Sequence, residues 1–187
     1  CFKNINKERF LSLSKYILST TGKIFSALSL AKYLKQQYKI IDVKSLAKNI
    51  NNQANKLIEC YFIRECFPYD FSTKQSINGL RKFYAVDLGI RNALGNPIKI
   101  DETFGLENLI YNELISRGYE VYYGRNRSKE IDFIVVNGNK KCLIQVAYYL
   151  NSKETLDREF GSFNGIKENC PKYVFSLDPI DSSHNGI

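Results

Sequence analysis

The 187-residue chain is 44% hydrophobic and 25% charged. That is the balance of a globular protein with a core, and no apolar run approaches the ~18 residues a membrane span needs. Net charge is +8, unevenly spread: residues 1–100 hold 17 Lys and Arg against 6 Asp and Glu, residues 101–187 hold 10 against 13. A basic half joined to a mildly acidic half reads as two domains, the first facing a polyanion. The bland alternative is a solvated Lys-rich surface. The five cysteines (1, 60, 66, 142, 170) are odd in number and lack a CxxC spacing. That excludes a disulfide framework and a zinc site and leaves small buried hydrophobes in a reducing cytoplasm. No charged stretch followed by an apolar one opens the sequence, so a secretory leader is not expected. Met is absent even at position 1, so the sequence reads as a piece of a longer protein.

Taken along the chain, residues 5–19 read as a helix with Phe10, Leu13 and Ile17 on one face, ended by Thr20-Thr21-Gly22. A second helix spans about 26–37, with Ser26 as its cap. The segment 38–42 leads to a third helix, about 43–59, striped by Leu46, Ile50, Ala54 and Leu57. Two strand-like runs follow, 61–67 and 82–87, separated by a polar loop, 68–81, with Pro68, Asp70, Ser72, Asn78 and Gly79. Three helices and a hairpin are the order of a winged helix-turn-helix, whose third helix enters the major groove. The polar face of that helix carries Lys44, Lys48, Asn49, Asn52, Gln53 and Lys56. Lys suits phosphates, and Asn and Gln suit adenine edges, so DNA is the expected partner; the same face also fits a protein-facing or plain solvated surface.

Residues 89–97 read as a short helix or turn followed by a linker. The expected domains are 1–88 and 96–187. In the second, a helix over 106–116 ends at Gly118, and a strand over 119–123 leads into a basic loop, 125–129. Strand 130–136 turns at Asn137-Gly138-Asn139-Lys140 into strand 141–150. A helix over 153–168, capped near Asn151-Ser152, and a strand over 173–178 complete the order αβββαβ.

Four polar residues stand where apolar ones are expected. Glu107 lies within the apolar face of its helix, beside Tyr111 and Leu114. Glu130 and Asp132 open one strand, and Gln145 interrupts the next. A two-residue turn places Asp132 opposite Leu143 and Glu130 opposite Gln145, and a four-residue turn places Asp132 opposite Gln145. Either way Asp132 and Gln145 fall on one face, within reach of each other. Glu107, Asp132 and Gln145, with Glu130 beside them, are hard oxygen donors suited to Mg²⁺ or Mn²⁺. The plain alternative pairs Glu107 with Arg125, Arg127 or Lys129 and leaves Asp132 at a strand edge.

Glu107 on a helix, Asp132 on the second strand and Gln145-Val146-Ala147 on the third resemble the PD-(D/E)XK nuclease core. More widely, Thr21-Gly22-Lys23-Ile24-Phe25-Ser26, the run 82–94 (KFYAVDLGIRNAL), Leu106-Glu107-Asn108, Glu130-Ile131-Asp132-Phe133, the run 144–148 (IQVAY) and Pro171-Lys172-Tyr173-Val174 resemble the C-terminal region of a family of prokaryotic AAA-type ATPases. The resemblance implies an α/β fold: a winged helix followed by a nuclease-like domain, with catalytic and metal positions at Glu107, Asp132 and Gln145. It also implies an ATP-binding N-terminal part, with Thr21-Gly22-Lys23 not itself a phosphate loop because Ile17 stands where such a loop needs Gly. The Glu of the Glu-x-Lys motif is here Gln145 and its Lys is Ala147, so the scaffold is expected to bind nucleic acid without cutting it, unless Lys129, Lys140 or Lys141 reaches in. The alternatives are an active Mg²⁺-dependent nuclease and a protein-interaction module coupling the ATPase to a partner. His184, the sole His, lacks partners for catalysis. The expected setting is cytoplasmic, away from membranes.

Overall fold

The structure, a computed structural model, describes residues 7–38, 42–71, 73, 75–76, 80–95, 102–126, 129–179, 183 and 187. His184, the linker residues 96–101 and Arg127-Ser128 of the basic loop lie outside them. In chain order the elements are α1 (Lys7–Ser19), β1 (Ile24–Phe25), α2 (Ala27–Tyr38), α3 (Val43–Glu59), β2 (Ile63–Cys66), β3 (Pro68–Asp70), β4 (Gln75–Ser76), β5 (Arg81–Ala85), α4 (Leu88–Leu94), α5 (Glu102–Ser116), β6 (Glu120–Asn126), β7 (Lys129–Asn137), β8 (Lys140–Val146), α6 (Lys153–Gly161) and β9 (Lys172–Phe175). The chain is mixed α/β and forms two compact units, residues 1–65 with 80–100, and residues 66–79 with 101–187.

The first unit packs α1, α2, α3 and α4 with a small sheet of order β1-β5-β2. Three local devices fix its helices. Gly22, at φ 80°, makes the turn after α1, and its N–H donates to the Phe83 carbonyl at 2.9 Å. Ser26 Oγ accepts from the Ser29 N–H at 3.2 Å, and Asp42 Oδ1 accepts from the Lys44 and Ser45 N–H groups at 3.0 and 3.1 Å. Each supplies an acceptor that the first helical turn lacks. Ala47, Ile50, Ala54 and Leu57 of α3 are buried at helical spacing against Leu13, Ile17 and Leu18 of α1, Ala31 of α2, and the strand residues Ile63 and Phe83. Arg81 of β5 pairs with Glu65 and donates to Asn55 on α3 at 2.8 Å, tying that helix to the sheet. Buried Arg91 of α4 donates from Nε to Thr21 Oγ1 at 3.0 Å.

The expected polar loop 68–81 is not simply a loop. Pro68–Asp70 forms β3, which pairs in parallel with β6 (Pro68 with Tyr123, Tyr69 with Gly124) and belongs to the second unit. Turn-forming residues dominate that stretch, but Tyr69 is buried and packs on Phe71 and Tyr122 at ring separations of 5.6 and 5.8 Å. Aromatic burial outweighs turn propensity, and Pro is tolerated at the first residue of a strand. The compact units therefore interleave along the chain where a single cut between 88 and 96 was expected. β1, two residues long, had no sequence signal.

The second unit is a six-stranded sheet of order β4-β3-β6-β7-β8-β9. β6, β7 and β8 run antiparallel, and β9 joins β8 in parallel. α5 packs on β6, β7 and β8; α6 packs on β8. Several boundaries differ from expectation. β6 and β7 extend through Arg125 paired with Glu130, so the basic loop shrinks to two residues. β8 stops at Val146, four residues short of 150. α6 stops at Gly161, not Glu168, because the chain turns through Asn164 and Gly165, the latter at φ 82°.

Between Tyr122–Ile134 and Gly124–Ile131 the β6–β7 register shifts, leaving Tyr123 facing two residues, Asp132 and Phe133. This is a β-bulge. It explains why Ile131 and Ile134, three apart, lie in one core cluster with Leu143 and Phe163, whereas Phe133 meets Tyr111 of α5 at a ring separation of 6.0 Å. Opposite the bulge, Gly124 has no room for a side chain: a Cβ there would lie 2.7 Å from Ile134 Cδ1 and 3.3 Å from Ile131 Cβ. Gly124→Ala is therefore expected to destabilise the chain by about 1–3 kcal/mol, the usual cost of overpacking. Urea unfolding measures it; no loss would mean the bulge is looser than described.

Candidate functional site

The bulge carries the candidate site. β7 and β8 pair with Phe133 opposite Ile144, Ile134 opposite Leu143 and Asn137 opposite Lys140. The loop is Gly138-Asn139, with Gly138 at φ 57°; this two-residue loop lies one residue further along than the sequence suggested, because Asn137 and Lys140 themselves pair, so the register is the one expected of the four-residue turn and brings Asp132 to Gln145. There the ladder passes into side chains. The Asp132 N–H donates to Gln145 Oε1 at 3.2 Å, and Asp132 Oδ2 accepts from the Val146 N–H at 2.8 Å. The bulge takes Asp132 out of backbone pairing, and the two side chains replace the missing bonds.

Glu107 is buried, 5% exposed, on α5. Tyr111, one turn further on the same helix, touches Phe133, the residue next to Asp132. The helix thus presents its acid on the face packed against the sheet, and a solvent-facing Glu107, which would have dispersed the constellation, is not observed. Asn108 beside it is fully buried, and Gln145 is 8% exposed. Asn108 enters the sequence reading only as part of the run Leu106-Glu107-Asn108 that carries the family resemblance, with no role of its own. Glu159 on α6, also buried, was missed too, and it pairs with Arg158 at 2.7 Å.

Glu130 is half-buried and pairs across to Arg125 in the ladder, not to Gln145. Among the described residues no group of three or more His, Cys, Asp or Glu side chains is placed to hold a metal ion. Lys141 does not replace the absent motif Lys: its Nζ lies 2.6 Å from Glu168 and 3.3 Å from the Tyr69 hydroxyl. Burial works against its charge, but these bonds outweigh that and its pKa is raised. Lys140 is exposed in the turn, and the side chains of Arg125, Arg127 and Lys129 lie outside the description. Ala147 is buried.

On α3 the predicted set divides. Lys44, Lys48, Asn49 and Asn52 are exposed; Gln53 and Lys56 are half-buried. These exposed groups stand opposite the buried stripe Ala47, Ile50, Ala54 and Leu57. The first unit carries 16 Lys and Arg against 5 Asp and Glu, the second 11 against 14, so the charge asymmetry follows the compact units. The cysteine expectation fails at Cys60, which is exposed; Cys66 is buried, and Cys142 and Cys170 are half-buried thiols whose pKa values burial pushes up.

Residues 103–180 match the family described as a domain of unknown function, DUF4143. The chain is also similar to an uncharacterized protein of Haemophilus influenzae, 31% identical over 129 residues, which covers 68% of this chain and 31% of that protein. The chain thus spans about a third of the length of the curated relative it matches. No solved structure matches it. Among the described residues no helix is long and apolar enough to cross a membrane.

Proposed function

We propose that this chain is the nucleic-acid-binding region of a longer AAA-type ATPase, with a winged helix in its first unit and a degenerate nuclease-like fold in its second. The observation that carries the reading is the α3 surface, on which Lys44, Lys48, Asn49 and Asn52 all stand exposed on the most basic unit. The order α1-β1-α2-α3-β2-β5, with β5 between β1 and β2, supports the winged helix. The order α5-β6-β7-β8-α6-β9, three antiparallel strands and then a parallel one, supports the αβββαβ core. DUF4143 is a family known in proteins associated with AAA ATPases, which supports the ATPase context. ATP binding would belong to the remainder of such a protein.

The second unit is read as non-cutting because the motif Lys is Ala147 and Lys141 is engaged elsewhere. An active nuclease is the second reading, favoured by buried Glu107 on the helix face packed against the strand that carries Asp132. In that case Glu107 and Asp132 would hold Mg²⁺, which takes one or two carboxylates and completes its shell with water and phosphate.

One experiment separates the readings: titrate labelled duplex DNA across a salt series, then incubate supercoiled plasmid with Mg²⁺ or Mn²⁺. Binding that weakens linearly in log-log form, without nicking, is expected. No binding near about 50 mM salt, where phosphate-driven affinity is strong, removes the first reading. Nicking that disappears with Asp132→Ala establishes the second.

A further inference from the structure

The end of α3 holds a backbone conformation that its residue resists. Among the described residues Tyr61 is the only non-glycine at positive φ, 57°. It directly follows Cys60, the C-cap of α3. The Tyr61 N–H donates to the Ile58 carbonyl and the Phe62 N–H to the Leu57 carbonyl, both at 2.9 Å. That pair of bonds is a Schellman motif, whose left-handed residue is usually Gly because a Cβ there crowds the following carbonyl. Phe62 packs against the core cluster that includes Leu57, the apolar contact that closes such a motif.

Packing does not call for the Tyr either. Its side chain is 78% exposed, more than any other exposed large hydrophobic among the described residues. Gly would suit both the conformation and the exposure, so the ring stands out on a fixed helix end, available for a contact outside the chain. The carbonyls of Lys56, Leu57 and Ile58 accept from Cys60, Phe62 and Tyr61, which blunts the negative end of the helix. Glu59 is exposed beside it, so the group that can approach a polyanion here is neutral. The 17 residues of α3 span about 25 Å, against a major groove ~12 Å wide. A helix seated by its exposed Lys44, Lys48, Asn49 and Asn52 therefore carries its far end out toward the flanking backbone.

We propose that Tyr61 anchors α3 to the sugar-phosphate backbone of a duplex: its ring lies on a deoxyribose of the strand bounding the groove, and its hydroxyl donates to an adjacent phosphate oxygen. The anchor rests on the nucleic-acid reading of α3 above and adds to it a contact made without a protein charge. No counterion is exchanged for a lysine there, so its loss lowers affinity while leaving the salt slope unchanged.

Duplex DNA titrations of the full chain, Tyr61→Gly and Tyr61→Phe, each with a urea unfolding curve, test this. Tyr61→Gly is expected to bind about five- to tenfold more weakly at an unchanged salt slope, while its urea midpoint rises because the left-handed residue is no longer strained. Tyr61→Phe keeps the ring, loses the hydroxyl and should fall between. Saturating DNA should also suppress nitration of Tyr61 by tetranitromethane, mapped by peptide, and leave Tyr149 and Tyr173, 45% and 46% exposed in the second unit, as reactive as before. A parent chain that binds no DNA removes the α3 reading and the anchor with it. A parent that binds while Tyr61→Gly binds equally well, or Tyr61 nitrated alike with and without DNA, overturns the anchor alone. A Tyr61→Gly variant that unfolds at lower urea than the parent shows that the Tyr serves the fold, and that too overturns it.

Discussion

Lys44→Glu combined with Lys48→Glu is expected to lower duplex DNA affinity about ten- to a hundredfold at low salt and to reduce the slope of log affinity against log salt by about two. The two lysines are one turn apart on α3 and both exposed, so on a helix seated in a groove they neutralise neighbouring phosphates. Each lost contact forgoes about one released counterion, and reversal adds repulsion to the loss. Lys32→Glu with Lys35→Glu, exposed residues of α2, changes net charge equally and serves as the control. A smaller loss there locates binding on α3; equal losses would mean a diffuse response to total charge. Since all four positions are exposed, the variants should unfold within about 0.5 kcal/mol of the parent.

The other large effect concerns Asp132. Asp132→Ala is expected to cost about 1–3 kcal/mol of stability, because the Val146 N–H loses its acceptor in a half-buried site. Asp132→Asn retains a carbonyl oxygen and should cost less than half as much. Denaturant unfolding with an unchanged slope reads both values. The comparison separates two duties of one residue: a scaffold duty that Asn fulfils, and a chemical duty, if cutting occurs, that neither variant fulfils. An Ala variant as stable as the parent would mean that the side-chain bridge between β7 and β8 carries no weight.

Elements with strong local signals were legible in the sequence. α3 runs Val43–Glu59, the span its apolar stripe sets, and the Asn137–Lys140 turn joins β7 to β8. Burial of Glu107 followed from its place beside Tyr111 and Leu114. Features that depend on distant partners were not. β1 exists because Ile24 and Phe25 pair with Lys82 and Arg81, far along the chain. β3 exists because a parallel partner, β6, lies 55 residues along the chain, Pro68 pairing with Tyr123. The bulge at Asp132-Phe133 has no composition signature; it shows only when Tyr123 must face two residues. The meeting of Asp132 and Gln145 was anticipated, but the means was not. It comes through side-chain bonds that substitute for the ladder, not through two side chains lying passively on one face. Early termination of α6 was hidden by the helix-compatible residues 166–168, which the turn at Gly165 overrides.

The reading stands or falls on where nucleic acid touches the chain. Photocrosslinking to a duplex carrying 5-bromodeoxyuridine, followed by peptide mapping, locates that contact directly. Adducts concentrated in α3, residues 43–59, are the predicted result. A crosslinked map confined to residues 101–187, or no adduct under conditions of saturating DNA, would contradict it.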